Sequence, residues 1–202
     1  MGFLDSLLGR SKPARPDLDQ LFGLPSAGVT LEAALDFRST GTGSVAFRAA
    51  EGRAFADVQA DVQALLDAGQ GPKVEVEVDS FGYTWLVCRT DPPDLSSLVT
   101  DLHAVNTTLQ DSGFGPTLLC SLASFTDGTR TFALVYLFKR GTFYPFAPAQ
   151  VSGTTVDGQA PQKRDNLLEM QLRDLLKDDL RFEPELTRWF AVWGAPGLET
   201  RT

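Results

Sequence analysis

Apolar and acidic positions alternate strictly along residues 74–79, with Val74, Val76 and Val78 set against Glu75, Glu77 and Asp79. That period of two predicts a half-buried strand with its valines inward. Phe81-Gly82 marks a turn into a second strand, YTWLVCR. TLLCSLASF and RTFALVYLFK are two further apolar runs around Thr126-Asp127-Gly128-Thr129, which predicts a hairpin. In the second run Phe132, Leu134, Tyr136 and Phe138 face one way and Ala133, Val135 and Leu137 the other, so the strand is expected to be central and covered on both sides. Pro145 and Pro148 limit further pairing and predict an edge or exit loop. VTLEAALDF and SVAFRAA are read as two more strands, joined by the turn-rich STGTGS.

Helical periods separate these runs. Phe55, Val58, Val62, Leu65 and Leu66 form one stripe that Gly69 stops. Asp91-Pro92-Pro93-Asp94 supplies an acceptor, prolines and an acid at a helix start, with Asp91 read as the cap. The helix is predicted to reach about Ser112, burying Leu95, Leu98, Val99, Leu102, Val105 and Leu109, and Gly113 ends it. A last helix covers about Arg164 to Asp178, with Leu168, Leu172, Leu175 and Leu176 on one face and Leu167 and Met170 on roughly the opposite side. Near the start, MGFLDSLLGR places Phe3, Leu4, Leu7 and Leu8 on one side of a short amphipathic helix, SKPARP breaks it, and DLDQLFGL reads as a second short helix ending before Pro25. The expected organisation is a leader of residues 1–16 and a single domain of residues 17–202, with a polar, flexible loop at 149–162. Hairpins followed by helices predict an α+β fold with a largely antiparallel sheet.

Charge changes this picture at one end. The 202 residues carry a net charge of −8, which excludes a general nucleic-acid binder. Arg10, Lys12 and Arg15 against Asp5 give residues 1–16 a local +2, so the remainder carries −10. A basic amphipathic leader on an acidic body suits marginal, reversible contact with an anionic membrane, four apolar side chains contributing about 1.5–3 kcal/mol each before ordering costs and each nearby cation about 1 kcal/mol. Phe3, Leu4, Leu7, Leu8, Arg10, Lys12 and Arg15 are the candidate contacts. The competing reading docks this helix on its own domain. MGFLDS also matches the loose myristoylation pattern. Cys88 and Cys120 lie in apolar runs, which predicts buried thiols and a reducing compartment. With no run long enough to span a membrane and no signal-peptide pattern, the expectation is a cytoplasmic protein, peripheral at the inner face of the cell membrane at most.

Catalytic chemistry is sparse. Neither a G-x-G-x-x-G nor a G-x-x-x-x-G-K-[ST] motif is present, GTGS at 41–44 reads as a turn, and no cofactor is implied. His103 is the sole histidine and no residues have metal-ligand spacing. A small enzyme would have to use His103 with Cys88, Cys120 or a carboxylate. Glu75, Glu77 and Asp79, spaced about 7 Å apart at alternate positions, read as a solvated face. Two aromatic clusters remain, Phe143, Tyr144 and Phe146 after the basic Lys139-Arg140, and Trp189, Phe190 and Trp193 before GAPG. Interfaces and cores both favour such residues. Lys139, Arg140, Phe143, Tyr144, Phe146, Trp189 and Trp193 are therefore the candidate partner-binding set.

MGFLDSLLGRSKPARPDLDQLF, YTWLVCRTDPPDL, GFGPTLLCSLASFTDGT, LVYLFKRGTFYPFAP and RWFAVWGAPGL together resemble the actinobacterial PspA-associated protein family, PspAB. The resemblance spans nearly the whole chain and carries no catalytic motif. It implies a cytoplasmic accessory of the phage-shock membrane-stress system, a non-enzymatic binding module whose partner is PspA or a membrane protease of that system. The order of elements also resembles the type III secretion chaperone-like fold of YbjN-type bacterial proteins, a likeness of fold alone. Two rival readings stay open: the small enzyme built on His103, and a homodimer whose apolar sheet faces are mutual.

Overall fold

A computed structural model describes residues 16–48, 64, 73–79, 82–149 and 162–198. A 3-10 turn, Leu18–Gly23, leads into helix α1 (Leu24–Leu35). Strands β1 (Arg38–Phe47), β2 (Glu75–Val78) and β3 (Thr84–Arg89) follow, then helix α2 (Leu95–Leu109). Strands β4 (Leu118–Thr126), β5 (Thr131–Leu137) and β6 (Thr142–Phe146) precede helix α3 (Asn166–Leu176). The six strands form one sheet in the order β2-β3-β1-β4-β5-β6, with every neighbouring pair antiparallel. The expected α+β class is what is seen.

The two faces of the sheet are covered by different material. On one, Leu24 and Leu31 of α1, Leu98 and Leu102 of α2, and Leu168 and Leu172 of α3 pack on Val45, Leu86, Leu134 and Tyr136. On the other, Ala46, Val87, Leu122, Val135 and Phe146 meet Trp189, Ala195 and Leu198 of the C-terminal segment. β5 is buried on both sides as its doubly apolar pattern predicts, although it stands one place in from the edge. β6, carrying Pro145, is the edge strand. Its outer rim is closed by the chain after α3, where Phe143 N donates to Arg181 O and Glu183 N donates to Phe143 O, both at 2.8 Å.

Three local expectations are corrected. VTLEAALDF is helix, not strand: Leu24, Ala27 and Leu31 are buried at helical spacing while Val29 stays 71% exposed. The short helix expected over DLDQLFGL is present as the 3-10 turn that ends at Gly23, and Pro25 then opens α1, whose first turn needs no proline N–H. The STGTGS stretch is no turn between strands but lies within β1, whose register with β4 slips between Ser39 and Gly43. Gly41 sits at φ +75°, and a Cβ there would lie 2.5 Å from Thr90 O, so the irregularity requires glycine. The cap of α2 is Asp94, not Asp91, accepting from Ser96 N at 3.0 Å and Ser97 N at 3.2 Å. Pro93 disfavours helical backbone at Pro92, which delays the start.

Other elements match more closely. Buried Leu98, Val99, Leu102, Val105 and Leu109 line α2 as expected, and a wider turn through Gln110–Phe114 carries the chain past Gly113. β4 and β5 form the expected hairpin. In β2, Val74 and Val76 pack on the core, but Val78 is 53% exposed. Glu75 and Glu77 both engage Arg89, at 3.3 and 2.8 Å, as a charged edge. Met170 of α3 reaches the second face while Leu167 projects outward, 81% exposed. The amphipathic leader, the stripe from Phe55 to Leu66 and most of the 149–162 loop lie outside the described residues.

Candidate functional site: a cavity with a basic mouth

The antiparallel order brings the ends of β1, β2 and β5 and the starts of β3, β4 and β6 to one end of the sheet. Arg48 follows β1 there, Asp79 and Tyr83 belong to the β2–β3 connection, and Lys139 and Arg140 sit in the β5–β6 turn. Over the second face at this end passes the C-terminal segment, and between the two lies a cavity of about 670 Å³. Ala46, Trp85, Leu137 and Tyr144 contribute to its floor from the strands, Phe190, Val192 and Trp193 close it from above, and Arg48, Lys139, Arg140 and Arg188 join its lining with Asp79, the single carboxylate among the described lining residues.

Polar anchors fix the segment. Trp189 donates its Nε1–H to Glu183 O at 3.0 Å, stacks on Tyr144 at 6.1 Å between ring centroids, and accepts at its carbonyl from Arg164 Nη1 at 2.6 Å. Arg164 also donates from Nε to Glu169 Oε1 at 2.8 Å and lies over the Phe146 ring at 5.0 Å. Trp193 packs edge-on against Phe146 at 4.8 Å. Farther along, Gly197 at φ +85° lies so close to Ser124 and Thr42 that a Cβ would stand 2.6 Å from Ser124 Oγ.

Two buried carboxylates respond to their surroundings in opposite directions. Burial raises the Glu169 carboxyl, and its hydrogen bonds from Arg164 and Ala147 N only partly offset that. Burial would raise Glu183 too, but donation from Arg140 Nε at 3.1 Å, Thr142 Oγ1 at 2.9 Å and Glu185 N holds it below the usual glutamate value. Arg140 is thereby paired with Glu183, and Arg188 with Glu185 at 2.8 Å. Arg48 and Lys139 make no ion pair among the described residues.

The sequence-predicted partner set divides in space. Lys139, Arg140, Tyr144 and Trp193 line the cavity, and Phe146 and Trp189 pack behind it. Phe143 points to the helical face, where its ring meets Tyr136 at 5.2 Å. The candidate membrane contacts Phe3, Leu4, Leu7, Leu8, Arg10, Lys12 and Arg15 lie outside the described residues. Phe190, named in the second aromatic cluster but left out of the partner set, joins the site, and Arg48 and Trp85 complete it without having been singled out as chemistry. Each stands in an ordinary apolar or mixed run, and strand register and the fold-back of the C-terminal segment alone bring them together.

The cavity holds no activated thiol. Its thiol, Cys120, is pushed by burial up to about 12, which leaves little thiolate at neutral pH. Cys88, buried under the helices, is likewise pushed to about 12 by burial and by the nearby Asp101. His103 stands on α2 over the opposite face from Cys120, with Nε2 3.4 Å from Asp19 Oδ1 and its ring 4.9 Å from Phe22. Among the described residues, no group of three or more His, Cys, Asp or Glu side chains is placed to hold a metal ion. No helix among them is long and apolar enough to cross a membrane.

A family model described as PspA associated protein B matches residues 1–197, from the leader through the C-terminal segment that roofs the cavity. The chain belongs to the PspAB family. The match includes both aromatic clusters that build the site. No curated protein and no solved structure matches the chain.

Proposed function

We propose that this chain is a non-enzymatic accessory protein of the phage-shock membrane-stress response, recruited to PspA or to a membrane-associated partner. Family membership points to PspA as the partner. The observation that carries the binding role is the rim of the cavity, where Lys139 and Arg140 stand near Phe190, 60% exposed, and Tyr83, 39% exposed. A cationic and aromatic rim on a chain of net charge −8 is suited to a partner segment that mixes apolar and acidic side chains. The basic leader, with Phe3, Leu4, Leu7 and Leu8, would add reversible contact with anionic lipid.

Surface plasmon resonance of the full chain over immobilised PspA tests the rim. Lys139→Glu combined with Phe190→Ser is expected to weaken binding at least tenfold while near-UV circular dichroism stays unchanged. Deleting residues 1–16 is expected to abolish co-sedimentation with anionic vesicles. Unaltered PspA binding by the double variant would remove the rim from the interface, and unaltered sedimentation would remove the leader from recruitment.

A further inference from the structure

We propose that the cavity is a binding site for a single-chain anionic amphiphile, a molecule with one alkyl chain and a carboxylate or phosphate head. The inference goes beyond recruitment to PspA and does not depend on it.

Size comes first. A volume of about 670 Å³ lies within the range of small-ligand pockets, about 300–1,000 Å³.

Chemistry narrows the choice further. The floor is a sheet face, so side chains line it and the ladder bonds beneath are already made. The Trp85 indole N–H is committed to Asp79 Oδ2 at 2.8 Å. An extended peptide threaded inside would bury amide groups against Ala46, Leu137 and Val192, where few partners are on offer. An alkyl chain has no hydrogen bonds to lose, and it gains from every apolar contact.

Charge fixes the orientation. Arg48 and Lys139 come from separate strand ends and both line the cavity without an ion pair among the described residues. A carboxylate or phosphate between them would complete two cations with charge-assisted bonds. Arg140 and Arg188 are already paired with Glu183 and Glu185, which leaves the head to Arg48 and Lys139. The tail then runs inward beneath the C-terminal segment.

The test titrates the purified full chain with oleate below its micellar concentration, reading tryptophan emission and calorimetric stoichiometry. One equivalent is expected to bind and to shift the emission, because Trp85 and Trp193 line the cavity. Oleyl alcohol, with the tail but no charge, is expected to bind at least tenfold more weakly, and acetate or inorganic phosphate, with the charge but no tail, not measurably. Arg48→Glu with Lys139→Glu is expected to cost at least tenfold in oleate affinity. Val192→Trp, which narrows the cavity and leaves the cations in place, is expected to cost as much. Near-UV circular dichroism establishes that each variant is folded. Equal affinity for oleate and its alcohol, several equivalents bound per chain, or folded variants that bind like the parent would each overturn the proposal. A chain that ignores oleate yet captures PspA overturns this inference alone, and one that binds oleate but not PspA leaves it standing without the recruiting role.

Discussion

Arg164→Ala is expected to be among the most damaging single substitutions outside the apolar core. The Arg164 side chain is 20% exposed and its partner Glu169 only 2%. Removing the guanidinium leaves a buried carboxylate held by one remaining donor, Ala147 N at 2.9 Å. Breaking a buried pair from one side destabilises by about 3–5 kcal/mol. The lost bond to Trp189 O and the contact over Phe146 lie within the same network, so their effects do not simply add. Against a total stability of about 5–15 kcal/mol, the variant stays folded but with little reserve. Burial already raises the Glu169 carboxyl above 4.5, so the folded chain holds that proton to higher pH than the unfolded chain. Stability linked to this group is full below about 4.5 and declines as pH rises through the folded value. Without Arg164 the folded value climbs further and the decline extends upward. Urea unfolding at pH 5 and pH 8 reads both effects: the deficit of Arg164→Ala should be clearly smaller at pH 5. Arg164→Met with Glu169→Gln removes both charges and keeps an acceptor for Ala147 N, and should recover at least half the loss. A deficit under about 1 kcal/mol, or one equal at the two pH values, would refute the reasoning.

Two further expectations concern Glu183 and Gly197. Because its hydrogen bonds hold Glu183 below the usual value, its contribution is present above about 4.5 and lost as pH falls through the folded value; Glu183→Gln should flatten the acid limb of a urea stability profile and lower stability at pH 7 by about 1–3 kcal/mol. Gly197→Ala sets a Cβ against Ser124 and Thr42 at a positive φ, so it should destabilise by about 1–3 kcal/mol and expose residues 186–198 to limited proteolysis before the strands are cut.

What the sequence made legible was whatever repeats locally. The strict alternation at 74–77, the doubly apolar run of β5 and the stripe from Leu98 to Leu109 each carry their burial in a period of a few residues, and each packs accordingly. α1 was hidden because Val29-Thr30 offers two β-branched residues in a row, while the spacing of Leu24, Ala27 and Leu31 is what packing selects. Irregular β1 defeated local reading for a related reason. Its four-residue GTGS looks like a turn by composition, and only the approach of Thr90 to Gly41 explains glycine inside a strand. The aromatic clusters were visible as residues, but not the separation of Phe143 from Tyr144, which needs the face of β6 that the sheet presents to the helices.

The cavity itself follows from anchoring that no local window contains. Its roof is held on one side by Trp189, bonded to Arg164 and Glu183, and on the other by Ala195 and Leu198 pressed on the sheet at the Gly197 approach. Between these points Phe190 and Val192 span the floor without filling it. If the segment were held by apolar contact alone, it could settle toward the sheet and close much of the gap, since close packing is where apolar surfaces gain. Directional hydrogen bonds at Trp189 and the fixed left-handed turn at Gly197 set the height of the roof instead. An apolar space kept open by polar anchors, with cations at its mouth, is the arrangement expected of a site that receives a ligand, and the same anchors are what Arg164→Ala and Gly197→Ala would release.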